Sequence, residues 1–177
     1  MPESALAEMV SPARTHRRSP LLFLMVLVVL PILILDQATK LYVSGHMELF
    51  ESVSIIPHWL DITYTRNSGA AFSMFANLPP WFRIAFLMAL SVIAIVVLMV
   101  LIARSDSVNI TTFSFALIMA GAAGNLIDRG LRGQVVDFIR VHYFDWNYPI
   151  FNVADSAITV GVALLILSTV LSQEKHS

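Results

Sequence analysis

Long uninterrupted apolar segments dominate this sequence and limit what the chain can fold into. Residues 21–35 contain no polar side chain, and further apolar segments occupy about residues 81–103, 110–128 and 150–171. A helix that crosses a membrane needs about 20 predominantly apolar residues. Only 13% of the residues are charged, whereas a typical water-soluble domain has about 25%. The sequence therefore predicts four membrane-spanning helices, the first of which extends over about residues 21–43.

The polar segments between and outside these spans complete the expected organisation. Residues 21–172 form one predicted membrane domain, with short tails at residues 1–20 and 173–177. Two longer loops, about residues 44–80 and 129–149, lie on one side of the membrane because each follows an odd-numbered span. The first loop contains SVSIIPHWLDITYT, whose β-branched and aromatic residues favour short strands at the membrane surface.

The charges before the first span indicate how the chain is oriented. Four spans place both termini on the same side, and Arg14, Arg17 and Arg18 lie just before the first span. Positive residues flanking a first span favour the cytoplasmic side. We therefore expect both termini in the cytoplasm and both long loops on the extracytoplasmic side.

The residue types that are missing exclude several kinds of chemistry. The chain has no cysteine, which excludes disulfides, thiolate metal sites and a cysteine nucleophile. It contains no H-E-x-x-H, G-x-S-x-G, phosphate-binding loop or dinucleotide-binding motif, so zinc proteases, serine hydrolases and nucleotide enzymes have no signature residues. A net charge of −1 does not suit a nucleic-acid-binding surface. We expect no metal and no other cofactor.

Polar residues in and beside the predicted spans gather at the non-cytoplasmic end. They are Asp36 and Lys40 in span one, Asn125, Asp128 and Arg129 in and just after span three, and Asn152 and Asp155 in span four. Asp137 and the RNSGAAF segment, which includes Arg66, Asn67 and Gly69, lie in the two loops on that side. Ionisable groups within a span are costly and are therefore candidates for function. The sequence predicts that these groups form one polar site at the end of the helices.

Two carboxylates in this set fit acid–base chemistry. Asp137 lies between apolar residues in VVDFI, and Asp155 lies near the start of span four in FNVADSAI. When two carboxyl groups share a partly desolvated site, one of them keeps a proton, which is the arrangement of an aspartic protease. The residues alone leave two alternatives open, an ion pathway and structural pairing. Asn125, Asp128 and Arg132 share one helix face, and for these residues a structural clamp at the helix end is favoured over direct catalysis.

Four sequence blocks, in this order, carry a resemblance to a known family. They are LDQATK at 35–40, TRNSGAAFS at 65–73, GNLIDR with GQVVDFI at 124–129 and 133–139, and FNVADSAITVG at 151–161. With these blocks the chain resembles the bacterial lipoprotein signal peptidases, also called signal peptidase II, of aspartyl peptidase family A8. The resemblance implies four transmembrane helices with a small extracytoplasmic β-sheet that cradles the substrate.

The resemblance also implies an activity and assigns site residues. The activity is intramembrane cleavage of diacylglyceryl-modified prolipoproteins on the amino side of the lipidated cysteine, in the bacterial inner membrane. The implied catalytic dyad is Asp137 and Asp155, although Asp128 could take the place of Asp137. The implied supporting residues are Asp36, Lys40, Asn67, Asn125, Asp128, Arg129 and Asn152, and we add Arg66 and Gly69 as substrate-binding candidates. We expect a monomer that contacts membrane lipids and binds globomycin-type inhibitors.

Two other classes of protein remain as alternatives at this point. A small proton- or ion-coupled transporter would line a path with buried charges, but its charges should be spread across the membrane rather than gathered at one end. A structural membrane protein would use polar clusters only to hold helices together. Such a protein would not need a carboxylate in an apolar segment such as VVDFI.

Overall fold

The computed structural model of the protein describes residues 20–69 and 79–174. These residues form four long helices: α1 (Pro20–His46), α2 (Pro80–Ala103), α3 (Ile110–Arg132) and α4 (Val153–Glu174). All four are long and apolar enough to cross a membrane. The prediction of four apolar helices with a small sheet is therefore confirmed. The predicted tails up to residue 19 and from residue 175, and part of the first loop, residues 70–78, lie outside the described residues.

Helix α1 contains a π-helical segment, Met25–Val29, between the α-helical segments Pro20–Leu24 and Leu30–His46. Pro31 lies two residues after this segment ends, and a proline inside a helix has no N–H to donate and crowds the carbonyl four residues earlier. The backbone N–H of Leu30 reaches the carbonyl of Met25, five residues back. The wider turn therefore accommodates the proline without ending the helix.

Helix α3 has well-defined ends that explain its length. At its start, Asn109 accepts a hydrogen bond from the Thr112 N–H, and the Thr112 hydroxyl accepts one from the Asn109 N–H. At its end, Gly133 has a φ of 71°, a left-handed conformation that glycine adopts easily and that commonly ends helices. The helix thus continues to Arg132, past the predicted limit near residue 128, and leads within two residues into a strand.

A four-stranded antiparallel sheet lies at one end of the helices. Its strands, in the spatial order β1-β2-β3-β4, are β1 (Ser52–Ile56), β2 (Leu60–Asn67), β3 (Val135–Tyr143) and β4 (Trp146–Asn147). An irregularity in the β2–β3 pairing separates the pair Ile62–Ile139 from the pair Thr65–Asp137. The two central strands, β2 and β3, carry the loop residues of the predicted site.

The sheet is fixed to the helices by a buried apolar cluster. Val43 near the end of α1 packs with Tyr64 of β2 and with Val136 and Phe138 of β3. On the other side of β3, Ile139 pairs with Phe151, which is two residues before α4. The start of β3 is therefore held between the end of α1 and the beginning of α4.

Close contact between α3 and α4 depends on glycine. A Cβ atom at Gly121 would lie 2.2 Å from the Ala154 carbonyl oxygen, and one at Gly161 would lie 2.9 Å from the Ser114 carbonyl oxygen. Small residues let membrane helices approach closely and gain van der Waals contact. This packing sets the position of the first turn of α4, which carries Asp155.

Candidate active site

The polar residues gathered by the sequence prediction do meet at one end of the helix bundle. Lys40 and Asp36 of α1, Asp128 of α3 and Asn152 before α4 have no exposed surface, and Asp137 of β3 is 2% exposed. Buried charges are stable only when they are paired and hydrogen-bonded. The contacts within this group are accordingly dense.

Lys40 is the cation at the centre of the group. Its Nζ lies 2.9 Å from Asp36 Oδ2, 3.0 Å from Asp128 Oδ2 and 3.2 Å from Asn125 Oδ1. The ammonium group has three donors and no acceptor, so these three oxygens use its full hydrogen-bonding capacity. One lysine therefore neutralises part of the charge of two buried carboxylates that come from different helices.

Each of these two carboxylates also holds the backbone beside a candidate catalytic residue. Asp36 Oδ1 accepts the N–H of Ala154 at 2.9 Å, and Ala154 directly precedes Asp155. Asp128 Oδ2 accepts the N–H of Val136 at 3.1 Å, and Val136 directly precedes Asp137. The ion group therefore orients both segments that carry the candidate dyad.

Two asparagines connect the candidate dyad directly. Asn152 Nδ2 donates to Asp137 Oδ1 at 2.7 Å, and Asn125 Nδ2 donates to Asp155 Oδ1 at 2.7 Å. The two amides also meet each other, because Asn152 Nδ2 lies 3.3 Å from Asn125 Oδ1. Asn152 Oδ1 accepts the N–H of Asp155 at 2.9 Å, which makes Asn152 the N-cap of α4. A single side chain thus starts the helix and contacts both carboxylate segments.

The surroundings of Asp137 favour its protonated form. Burial, and then the neighbouring negative charge of Asp155, raise the pKa of Asp137 to about 7, although hydrogen bonds from Asn67 and Asn152 oppose the rise. A raised pKa from burial and a second carboxylate is the pattern of a shared-proton pair. Asp137 and Asp155 are therefore close enough to interact electrostatically.

The remaining predicted residues lie around this centre at different distances. Asn67 accepts the Gly69 N–H at 2.9 Å and bonds to Asp137 through its side chain. Arg129 donates to the Gly69 carbonyl at 3.3 Å and interacts electrostatically with both members of the candidate dyad.

Arg66 is different: its Nε donates to the Tyr64 hydroxyl at 2.8 Å. Arg66 pairs with Val136 and so lies on the face of β3 opposite Asp137.

One contributor was missed by the sequence prediction. Gln37 Nε2 lies 3.0 Å from Asp36 Oδ2 and 3.4 Å from Asp128 Oδ1, and its position within the LDQATK block was the only signal that could have found it. Arg132, which the helical spacing placed on one face with Asp128, forms an ion pair with Asp128 and donates to Gln37 Oε1 at 3.4 Å. Among residues 20–69 and 79–174, no group of three or more acidic or histidine side chains is arranged to hold a metal ion.

Comparisons with known proteins identify the family of this chain. The family model described as Signal peptidase (SPase) II matches residues 28–171. A protein of Geobacter sulfurreducens named Lipoprotein signal peptidase is 43% identical over 151 residues, which cover 85% of this chain and 93% of that protein. Its namesake in Geobacter metallireducens is 41% identical over 146 residues, covering 82% and 89%.

Solved structures show the same likeness. A bacterial membrane enzyme determined by the in meso method at 2.3 Å resolution superposes with a TM-score of 0.78 at 34% identity, covering 86% of this chain and 90% of that one. A second, at 1.9 Å resolution, gives a TM-score of 0.72 at 36% identity, covering 81% and 90%. The chain therefore belongs to the signal peptidase II family of membrane-spanning aspartic peptidases, family A8.

Proposed function

We propose that Asp137 and Asp155 are the catalytic dyad of this peptidase. The observation that carries the proposal is the connected pair of amides, in which Asn152 donates to Asp137 and Asn125 donates to Asp155, both at 2.7 Å. The two carboxylates are oriented by the same network and interact electrostatically. This is the relation that general acid–base catalysis by two carboxyl groups requires.

The raised pKa of Asp137, about 7, supports a division of roles. Asp137 holds the shared proton and donates a hydrogen bond to the oxygen of the scissile carbonyl. Asp155 accepts a proton from water as the water oxygen bonds to the carbonyl carbon, and Asp137 gives its proton to the carbonyl oxygen. The tetrahedral intermediate then collapses: the peptide nitrogen takes the proton held by Asp155, the C–N bond breaks, and one of the two hydroxyls of the intermediate returns its proton to Asp137, which leaves a carboxylic acid and an amine. Burial excludes the surplus water that would screen these steps.

Asp128 is better suited to a positioning role than to the chemistry. Both of its oxygens are engaged, one by Lys40 and the Val136 N–H, the other by Arg132. A carboxylate whose two oxygens already accept this many charged and backbone donors has no free lone pair to direct at a water. This supports Asp137 over Asp128 as the partner of Asp155.

The proposed substrate is a prolipoprotein whose cysteine carries diacylglycerol, cut on the amino side of that cysteine. The name Lipoprotein signal peptidase of the relatives supports this class. In the proposal, Asn67 and Gly69 at the end of β2 contact the substrate backbone near Asp137, and Arg129 supports them. Arg66 is bonded to Tyr64 on the face of the sheet opposite Asp137. It would therefore contact a lipid ester or headgroup only at a position away from the dyad.

The proposed placement follows from the substrate and from the charges near the N-terminus. Residues 21–172 would form one monomeric domain in the bacterial inner membrane, with both termini in the cytoplasm and the dyad at the extracytoplasmic face. The enzyme would contact membrane lipids and bind globomycin-type inhibitors. Membership in a peptidase family speaks against the transporter and structural alternatives, and so do the charges gathered at one end of the helices.

A cleavage assay tests the dyad. The protein in detergent is mixed with a diacylglyceryl-modified prolipoprotein, and the product is followed by its shift on a gel. We expect cleavage by wild type, with and without EDTA, and none by Asp137→Asn or Asp155→Asn. Asp106→Asn is the matched control, because Asp106 is exposed on the α2–α3 connector. Full activity of Asp137→Asn would contradict the proposed dyad.

A further inference from the structure

The outer part of the sheet, beyond the dyad, presents an exposed apolar face. Paired residues on neighbouring antiparallel strands direct their side chains to the same face, and the pairing groups Val53, Ile62 and Ile139. Alternate residues of one strand also share a face, so Asp137 and Ile139 are on the same side of β3. Val53 is 46% exposed. The face that carries Asp137 therefore continues outward as an apolar surface that is half-buried at Ile62 and Ile139 and exposed at Val53 on β1.

The opposite face of the same strands is polar and internally paired. Ser54, Asp61 and Arg140 follow one another across β1, β2 and β3. The Asp61 carboxylate lies 3.0 Å from His142 Nε2 and 3.5 Å from an Arg140 guanidinium nitrogen. A sheet with one polar and one exposed apolar face is suited to a boundary between water and a less polar phase.

Ring side chains cluster at the outer end of this sheet, in the β1–β2 and β3–β4 turns and just beyond. We call them the aromatic tip: His58, Trp59, Tyr143, Phe144, Trp146 and Tyr148. The rings of Trp59 and Tyr143 are 4.5 Å apart, and those of His58 and Phe144 are 5.5 Å apart. Even so, Phe144 is 66% exposed and Trp146 is 59% exposed. The rings contact one another and leave much of their surface free to contact something else.

Ring contacts connect the aromatic tip to the end of a membrane helix. Trp146 and Tyr148 are 6.3 Å apart, and Tyr148 and Phe151 are 5.8 Å apart. Phe151 lies two residues before the start of α4, which is apolar enough to cross a membrane. The exposed aromatic surface is therefore continuous with the start of a helix that is apolar enough to cross a membrane.

The backbone of the aromatic tip is strained. His58 and Phe144 have φ values of 68° and 48°, in the left-handed region where a glycine or asparagine would be less costly. Residues that carry a Cβ atom adopt such conformations only infrequently. Ring side chains therefore occupy turn positions that smaller residues would fit with less strain.

We propose that the aromatic tip lies in the headgroup region of the lipid bilayer, on the same side as the dyad. Trp and Tyr concentrate in this region because an apolar ring with a polar group matches it. The tip would be a second attachment to the membrane besides the helices, and it would hold the outer end of β3 at a fixed depth. The other possible occupants of this surface, water and the substrate, are outcomes of the test below.

Tryptophan emission can measure this depth without any assay of activity. The chain has three tryptophans: Trp59 and Trp146 in the tip, and Trp81 in the first turn of α2. Variants that keep one tryptophan each, with the other two changed to Phe, are reconstituted in phosphatidylcholine vesicles. Lipid carrying a nitroxide on its headgroup is compared with lipid carrying one deep in the acyl chain, and with acrylamide in water. Ser54→Trp, in a background without the three native tryptophans, is the matched control on the polar face of the same sheet.

The proposal expects Trp59 and Trp146 to lose emission to the headgroup nitroxide more than to the deep nitroxide. Their emission should be largely protected from acrylamide, in contrast to the Ser54→Trp control. Strong quenching by acrylamide and weak quenching by both lipids would overturn the proposal, because the tip would then lie in water. Protection that appears only after a prolipoprotein is added would overturn it in favour of a substrate surface.

A second measurement avoids tryptophan substitutions. The wild-type chain labelled with fluorotryptophan gives one resonance for each tryptophan, and the same headgroup nitroxide should broaden those of Trp59 and Trp146. Neither readout depends on the proposed dyad, so Asp137→Asn protein should give the same quenching. Failure of the dyad proposal and failure of this one are therefore distinguishable.

Discussion

The carboxylate of Asp36 accepts a hydrogen bond at 2.9 Å from the backbone N–H of Ala154, far along the chain from it. This N–H belongs to the first turn of α4, where helix N–H groups have no partner within the helix. A side chain of α1 therefore supplies part of the cap of α4, directly beside Asp155. Because Lys40 pairs with Asp36 and also with Asp128, the same cation supports the backbone beside both residues of the proposed dyad.

Replacing Lys40 by methionine should strongly destabilise the protein. The change leaves Asp36 and Asp128 buried near each other without the ammonium group between them. Breaking a buried ion pair by removing one partner typically costs about 3–5 kcal/mol. We expect a lower thermal unfolding midpoint in detergent and loss of cleavage. Arg104→Met, at the exposed end of α2, should leave both quantities near the wild-type values.

The cause of this instability can be tested by also removing one of the carboxylates that Lys40→Met leaves without its cation. The double variant Lys40→Met with Asp36→Asn has one buried carboxylate without its cation fewer than Lys40→Met alone. The amide oxygen of the new asparagine can still accept the Ala154 N–H. The double variant should recover part of the unfolding midpoint lost by Lys40→Met alone. If it is less stable than the single variant, lost packing rather than unpaired charge explains the effect.

Much of this site could be predicted from the sequence because of what a membrane excludes. Charged residues such as Asp36, Lys40 and Asp155 are rare in apolar segments, and odd and even spans alternate direction. Polar residues at the ends of spans one and three and at the start of span four must therefore meet on one side. The number of helices could be predicted by the same reasoning, because each span needs a long apolar segment and the sequence contains four of them.

Contacts that depend on rotation or on strand register could not be predicted in this way. The four-residue spacing of Asp36 and Lys40 indicates an ion pair between these two residues, but the bond of Asp36 to Ala154 depends on the relative position of two helices. Arg66 was grouped with Asn67 because the two are adjacent in sequence. In a strand, adjacent side chains point to opposite faces, and β2 directs Asn67 towards Asp137 and Arg66 towards Tyr64.

Substitutions of Asn152 should separate its two roles. Asn152→Ser keeps an oxygen that can cap α4 and loses the amide donor to Asp137, whereas Asn152→Ala loses both. We expect both variants to lose most of the cleavage activity. The alanine variant should be less stable than the serine variant by about 0.5–2 kcal/mol, the usual value of a helix cap. Equal unfolding midpoints would argue against the capping role, and wild-type cleavage by the serine variant would argue against the donor role.

The raised pKa of Asp137, about 7, predicts how cleavage depends on pH. If Asp137 must be protonated to polarise the scissile carbonyl, kcat/KM should fall as the pH rises through about 7. Initial rates at low substrate concentration, measured between about pH 5.5 and pH 9, give this profile. A rate that rises through this range instead would assign the role of general base to Asp137.

The same group predicts a change in stability with a defined sign. The folded-state pKa lies above the ordinary value for an aspartate, so folding favours the neutral form. The resulting stability is present at low pH and is lost as the pH rises through about 7. Asp137→Asn, which cannot ionise, should therefore have an unfolding midpoint above that of wild type at about pH 8.5, with a smaller difference at about pH 5. A difference that does not vary with pH would mean that Asp137 does not titrate in this range.

Helix packing offers a last test, in which three glycines should respond differently to alanine. At Gly121 the new Cβ would lie 2.2 Å from the Ala154 carbonyl oxygen, and at Gly161 it would lie 2.9 Å from that of Ser114. Backbone atoms cannot yield as a flexible side chain can, so α3 and α4 would be forced apart. At Gly45, also helical, no atom lies within 4 Å of the new Cβ, and alanine should stabilise the helix by about 0.5–1 kcal/mol.

Unfolding midpoints in detergent rank these three variants, and cleavage distinguishes the first two. Gly121→Ala displaces Ala154, which is bonded to Asp36 and precedes Asp155, so it should lose activity even below its unfolding temperature. Gly161→Ala acts further along α4 and should keep more activity for a comparable loss of stability. If Gly121→Ala cleaves at the wild-type rate, the first turn of α4 tolerates displacement, and its attachment to Asp36 is not needed to orient the dyad.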